Sequence, residues 1–144
     1  MKEIYSYRVK LVKENTLQYE SVKGISSAIG VFQSIIGEEA QEVLSIITMT
    51  SNNKPVGYFE VTRGSDNASM FDIREIVKRV LLSNANQFII AHNHPSGSVK
   101  PSGADIEATN ALKDACRLLN IKLLDHIIVS DNDHFSFKAY GYID

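Results

Sequence analysis

Residues 87–105 read QFIIAHNHPSGSVKPSGAD and combine a strand, a loop and the start of a helix. The apolar run Gln87–Ala91 is short and continuous, which is typical of a buried strand, and it leads directly into His92. Pro95 ends the strand because it cannot donate to a sheet ladder. A helix follows, and its apolar stripe consists of Ala104, Ala108, Ala111, Leu112, Ala115 and Leu119. Ligands usually bind where the strands of an α/β sheet end, so this stretch also indicates where a functional site should lie.

The rest of the chain alternates strands with helices. Strands are predicted at Tyr5–Lys13, Val43–Met49, Val56–Thr62, Lys122–Val129 and Phe135–Lys138. One helix is predicted over residues 25–36 with Gly37 at its C-cap, and another begins at the capping box Asp72–Glu75. The order β-α-β-β-α-β-α-β-β predicts an α/β (α+β) fold in which helices cover both faces of a mixed sheet. No linker divides the sequence, so residues 1–144 are expected to form a single domain.

Composition and charge exclude several classes of protein. Of the 144 residues, 44% are hydrophobic and 22% are charged, so the chain is expected to fold into a globular domain. Its 15 basic and 17 acidic residues give a net charge of −2, which argues against DNA binding through phosphates. The N-terminus lacks the apolar core of a secretory signal, and no apolar run approaches the ~18 residues of a membrane span. The expected compartment is the cytoplasm, with no membrane partner.

His92 and His94 are the first candidates for metal ligands. In an extended backbone the side chains of residues i and i+2 point the same way, so the two imidazoles can converge on one ion. Asp105, in the first turn of the following helix, can return to the same point. Two histidines and one carboxylate leave a fourth position free, which is the pattern of a catalytic zinc, and zinc lowers the pKa of its bound water to about 7. The single cysteine, Cys116, excludes a multi-cysteine zinc site.

Other interpretations of these residues are open at this point. An isolated H-x-H pattern is weak evidence for metal binding. Ser102 and Asp105 also fit a capping box, which spacing alone favours, and a capping Asp105 is not expected to serve easily as a metal ligand. A nuclease named for His-Asn-His is disfavoured because its three residues are dispersed along the chain. A nucleobase deaminase is excluded because it requires a P-C-x-x-C motif.

Taken together, the motifs resemble the JAMM motif of JAB/MPN metallohydrolase domains. That motif has an upstream Glu, then H-x-H, seven residues, and S-x-x-D. Here His92-Asn93-His94 is followed by seven residues and then by Ser102-Gly103-Ala104-Asp105. The finer resemblance is to the bacterial RadC-like branch, whose further hallmarks match Arg63-Gly64, Arg74-Glu75-Ile76, Leu124-Asp125-His126-Ile127-Ile128 and Ser136-Phe137. The similarity extends from about Ile29 to Tyr142.

This resemblance implies a fold and a role for each matching residue. The implied fold is a three-layer mixed β-sheet flanked by helices, similar to the architecture of cytidine deaminases. His92, His94 and Asp105 match the zinc ligands of the family. Ser102 matches the hydroxyl that stabilises the oxyanion of the tetrahedral intermediate, and an upstream Glu matches the general base.

Three acids are candidates for that general base: Glu38, Glu39 and Glu42. Glu42 is the choice here because it directly precedes the strand Val43–Met49, and the family's Glu stands at such a strand start. Rigid elements also hold catalytic groups better than loops do.

The resemblance implies a zinc-dependent hydrolase of the JAMM type that cleaves a peptide or isopeptide bond. Its partner would be a peptide or protein, with a ubiquitin-like tail as one candidate, and a homodimer is left open. Two alternatives are a non-catalytic interaction module and a DNA-repair-associated RadC-like factor. Longer family members carry an N-terminal region that resembles helix-hairpin-helix modules. No such module is expected here, because only about 40 residues precede Glu42 and they are predicted to belong to the core domain.

Asp125 and His126 match the family pattern but not a ligand position. His126 lies in an apolar strand, so a buried histidine that supports the site is the favoured interpretation. A hydrogen bond from Asp125 to a zinc ligand is left open. His134 is expected at the surface, and Cys116 is expected to be a buried, inert thiol.

Overall fold

The computed structural model describes residues 1–17, 24–64 and 71–144. Its helices are α1 (Ile25–Ile36), α2 (Ile73–Leu82) and α3 (Gly103–Leu118). Its strands are β1 (Glu42–Met49), β2 (Pro55–Gly64), β3 (Gln87–Asn93), β4 (Lys122–Val129) and β5 (His134–Ser136). All three predicted helices are present, and the bounds of β1, β3 and β4 differ from the predictions by at most two residues.

The five strands form one sheet in the order β2-β1-β3-β4-β5. Strand β1 is antiparallel to both β2 and β3, whereas β3 and β4 are parallel. Parallel neighbours need a crossover connection, and α3 lies in the connection between β3 and β4. The carboxyl end of β3 therefore leads straight into the loop that enters α3, and this geometry builds the site described below.

Helices pack on both faces of the sheet and define two cores. Helix α1 buries Phe32 and Ile36 against one face, together with Ile89 and Ile127 of β3 and β4. Helices α2 and α3 cover the other face, where the buried side chains include Ile76, Leu112, Ile90 and Ile128. Successive strand residues face opposite cores, so strands buried on both faces are continuously apolar. This arrangement confirms the predicted three-layer mixed sheet.

The predicted N-terminal strand is wrong. Residues 1–17 form no strand, and their side chains are exposed, with Tyr7 at 86%. The alternation in Tyr5–Lys13 produces one apolar side, but a strand also needs a neighbour to accept its backbone hydrogen bonds. The described order is therefore α-β-β-α-β-α-β-β.

The last strand is also shorter than the predicted Phe135–Lys138. Strand β5 ends at Ser136 because the backbone N–H of Lys138 donates to the carboxylate of Asp125 at 2.9 Å. The chain then turns, with the N–H of Tyr140 donating to the carbonyl of Ser136.

Gly37 is the C-cap of α1, as predicted, and there is no room for a side chain at this position. An added Cβ would lie 2.5 Å from the Gln33 carbonyl oxygen and 2.9 Å from that of Ser130. At the start of α2, Asp72 accepts a hydrogen bond from the Glu75 N–H at 3.2 Å, as its N-cap position predicts. Within the described ranges, none of the helices has the length and apolar character required to cross a membrane.

Candidate metal centre

Three elements of the fold bring the candidate ligands to one end of the sheet. His92 lies near the carboxyl end of β3, His94 follows that strand, and Asp105 lies in the first turn of α3. Strand β1 pairs Leu44 with His92, and extending that register by two residues brings Glu42 level with His94. The site is partly covered, because the side chain of His92 is 1% exposed and that of Asp105 is 13% exposed.

The polar atoms of these four residues converge. His92 Nε2 lies 3.1 Å from His94 Nε2 and 3.5 Å from Asp105 Oδ1. His94 Nε2 lies 3.2 Å from Asp105 Oδ2, and Glu42 Oε1 is 4.0 Å from His92 Nε2. Glu42, His92 and His94 form a group whose ligand atoms all lie within 4.8 Å of one another, so this group could hold a metal ion.

The orientation of His94 is set by the loop that follows it. Its Nδ1 is 2.9 Å from the Ser98 carbonyl oxygen. A carbonyl only accepts hydrogen bonds, so Nδ1–H donates and Nε2 faces the site. The Asp105 carboxylate hydrogen-bonds to that nitrogen and thereby raises the pKa of His94. A metal must displace a proton at this position, so metal binding is expected to weaken in acid.

Asp105 combines two functions that the sequence analysis treated as competing. Its Oδ2 accepts a hydrogen bond from the Ser102 N–H at 2.9 Å, and its own N–H donates to Ser102 Oγ at 3.0 Å, so the capping box is complete. The carboxylate nevertheless faces both imidazoles, because each of its two oxygens can accept more than one hydrogen bond. Burial raises the pKa of Asp105, but the hydrogen bonds from His92 and His94 outweigh burial and hold it well below its usual range.

Of the three glutamates considered, Glu42 is the one placed beside His92. Glu39 instead pairs with Arg63 at 3.0 Å, and Arg63 also binds Glu60 at 2.7 Å. Glu38 is exposed. Ser102 lies at the N-cap of α3, where its oxygen accepts from the Asp105 N–H and its own hydroxyl proton is available to donate.

The backbone on either side of Glu42 is held by Asn93, which the sequence analysis missed. The buried amide of Asn93 accepts from the Val43 N–H at 2.7 Å and donates to the Gln41 and Glu39 carbonyls at 2.9 and 3.2 Å. The sequence could have indicated Asn93, because side chains alternate along β3 and the residue between two converging histidines must point to the opposite side of the strand.

His126 is fully buried behind His92, as predicted for a supporting histidine. Its ring stacks on Phe137 with centroids 4.3 Å apart, and its Nε2 lies 2.7 Å from His92 Nδ1. Burial lowers its pKa well below the ordinary value, and the nearby charge of His92 adds to that effect.

Asp125 directs its hydrogen bonds to the end of the sheet. Its carboxylate accepts from the Ser136 hydroxyl and from the N–H groups of Lys138 and His126.

The two remaining residues lie where the sequence predicted. His134 is exposed. Cys116 is buried, and burial raises the pKa of its thiol to about 11, as expected of an inert cysteine.

The donor set fits a divalent cation of borderline softness. Two imidazole nitrogens lie 3.1 Å apart, with two carboxylates beside them. A bound cation would stabilise this cluster of electron-rich atoms. Imidazole and carboxylate are ligands of several divalent transition metals, zinc among them.

The sequence is similar to known proteins over most of its length. A family model described as RadC-like JAB domain matches residues 22–142. A UPF0758 protein of Chlorobaculum tepidum is 38% identical over 122 residues, which cover 85% of this chain and 55% of that protein. UPF0758 proteins of Pseudomonas fluorescens and Coprothermobacter proteolyticus are 34% and 40% identical over 128 and 112 residues, which cover 88% and 78% of this chain and 57% and 48% of those proteins. This chain thus spans about half the length of these relatives, and it belongs to the RadC-like JAB domain family.

Proposed function

We propose that this chain is a zinc-dependent hydrolase that cleaves a peptide or isopeptide bond. His92, His94 and Asp105 would hold the metal, and Glu42 would act as the general base. The observation that carries the proposal is the convergence of the two Nε2 atoms and the two carboxylates, with each neighbouring pair of atoms 3.1 to 4.0 Å apart.

The metal would supply one part of the chemistry, and the chain would supply the rest. When bound, zinc polarises a carbonyl group and acidifies a water molecule. Glu42 would take a proton from a water molecule while the oxygen of that water adds to the carbonyl carbon. Glu42 would then deliver the proton to the leaving nitrogen as the carbon–nitrogen bond breaks. The products are a carboxylate and an amine.

Two further residues fit this sequence of steps. The Ser102 hydroxyl can donate to the oxyanion that develops on the attacked carbonyl, because its oxygen already accepts from the Asp105 N–H and its proton is available. Asn93 binds the backbone at Gln41 and Val43, and so restrains the position of Glu42 between them. A restrained base transfers protons more effectively than one on a mobile loop.

The test compares Glu42→Gln with Glu39→Gln. Both changes remove one negative charge from neighbouring glutamates, but Glu39 pairs with Arg63 at the surface. Glu42→Gln should keep bound zinc and lose turnover by about a hundredfold to ten-thousandfold. Glu39→Gln should keep both, since an exposed ion pair contributes about 1 kcal/mol or less to stability.

Zinc is measured by elemental analysis of protein purified without chelator. Turnover is measured on a pool of fluorogenic peptides and on peptides joined through a lysine side chain. Wild-type turnover in Glu42→Gln would exclude the proposed mechanism. A folded wild-type chain that takes up no zinc would instead favour the non-catalytic interaction module.

A further inference from the structure

We propose that Thr109 and His126 are positioning residues that hold His92 in the one tautomer able to bind a metal through Nε2. The inference rests on the metal binding in the proposed function, but not on catalysis. It concerns a row of hydrogen bonds that runs from helix α3 through strand β4 to strand β3, behind the site.

The row starts at the Thr109 hydroxyl, which is buried on α3. Thr109 Oγ1 lies 2.7 Å from the Asp105 carbonyl oxygen and 2.6 Å from His126 Nδ1. The carbonyl can only accept, so the hydroxyl proton goes to Asp105. The threonine oxygen is then the acceptor for His126, and His126 must carry its proton on Nδ1.

The position of the ring proton on His126 determines which nitrogen of His92 is protonated. The ring of His126 is fully buried and stacked on Phe137, where a charged imidazolium would be costly. A neutral imidazole has one ring proton, so His126 Nε2 is an acceptor. His92 Nδ1 lies 2.7 Å from that nitrogen and must donate to it.

With Nδ1 kept protonated by its contact with His126, the proton that a metal displaces from His92 is the one on Nε2, which lies 3.1 Å from His94 Nε2 and 3.5 Å from Asp105 Oδ1. The opposite tautomer would place a proton on Nε2 and prevent coordination. The same residue, Asp105, thus contributes its carboxylate to the front of the site and its carbonyl to the row behind it. Metal-binding histidines generally donate their second ring N–H to a fixed acceptor, and here that acceptor is another histidine.

Thr109→Val tests the row with little change in shape, and Thr109→Ser is the matched control that keeps the hydroxyl. Zinc affinity is measured by competition with a chromophoric chelator. Thr109→Val should bind zinc about 10- to 100-fold more weakly than wild type, and Thr109→Ser should restore most of that loss. If Thr109→Val does not fold, Thr109→Cys replaces the hydroxyl with a weak acceptor, and an intermediate loss is expected.

The second readout is the ring-proton position of His126 in zinc-free protein, from two-bond nitrogen–proton NMR correlations. Wild type and Thr109→Ser should carry the proton on Nδ1, and Thr109→Val should show protonation on Nε2 as well. Protonation of wild-type His126 on Nε2, or unchanged zinc affinity in Thr109→Val, would overturn the inference. If wild type binds no zinc, although His126 carries its proton on Nδ1, both the inference and the proposed function fail. If zinc binds as expected but no peptide is cleaved, only the catalytic part of that function fails.

Discussion

Two covered aspartates, Asp105 and Asp125, differ in what surrounds them. The carboxylate of Asp105 faces His92 and His94 and is 13% exposed. Asp125 is fully buried, and its carboxylate faces the Ser136 hydroxyl and backbone N–H groups. Asp105 therefore contacts groups that can carry a proton or share a cation, whereas Asp125 contacts groups that hold the chain in place.

The pKa values of the two acids move in opposite directions. Burial raises the pKa of each. At Asp105 the hydrogen bonds from two imidazoles outweigh burial, and the pKa falls well below its usual range. At Asp125 the hydrogen bonds from Ser136 and the backbone do not, and the pKa remains raised. Burial alone does not identify a functional acid, because the type of partner decides which protonation state is stable.

The largest expected effect is on metal binding. Asp105→Ala should reduce bound zinc to background and abolish turnover, because it removes an anionic donor beside both histidines. The lost capping interaction at the helix end should cost about 1 kcal/mol of stability, and the lost hydrogen bonds from His92 and His94 add to that cost. Elemental analysis and urea unfolding measure the two effects.

Ser102→Ala is the matched control for Asp105→Ala. It removes the other half of the same capping box and should cost about 1 kcal/mol of stability while keeping zinc. If both variants lost zinc equally, the helix start would be the cause, and Asp105 would not differ from Asp125 in its function.

Asp125→Ala should show the converse pattern. It leaves the Ser136 hydroxyl and the N–H groups of Lys138 and His126 without their acceptor, which should cost about 3 kcal/mol of unfolding free energy. Zinc binding should persist wherever the variant is folded. Urea unfolding in the presence of a chelator measures the stability of the variant, and zinc titration at low urea measures its zinc affinity. A loss of zinc affinity without a loss of stability would contradict the structural role of Asp125.

Local rules explain what the sequence could predict. Residues 87–105 specify a strand, a loop and a helix through alternation, Pro95 and helical spacing, and those rules also bring His92, His94 and Asp105 to one end of the sheet. The prediction of an N-terminal strand was wrong because alternation describes one strand and not the neighbour with which it must pair.

Other features depended on distances that no spacing rule contains. The capping box and the histidines are compatible because Asp105 Oδ2 contacts both the Ser102 N–H and His94 Nε2, while Oδ1 faces His92. The contacts of Asn93 with Gln41 and of Thr109 with His126 join residues 52 and 17 positions apart. Such pairs become visible only once the strand register and the helix rotation are fixed.

The smallest expected effect is a difference in pH dependence, measured as the unfolding free energy of wild type minus that of each Asp→Asn variant, in chelator. Because the pKa of Asp125 is raised by folding, its contribution should be present below pH 4 and should decline as the pH rises through the raised value. Because the pKa of Asp105 is lowered, its contribution should be present above pH 4 and should be lost as the pH falls through the lowered value. The two difference curves should therefore slope in opposite directions. Parallel curves would mean that burial dominates at both positions and that the imidazoles do not stabilise the Asp105 carboxylate.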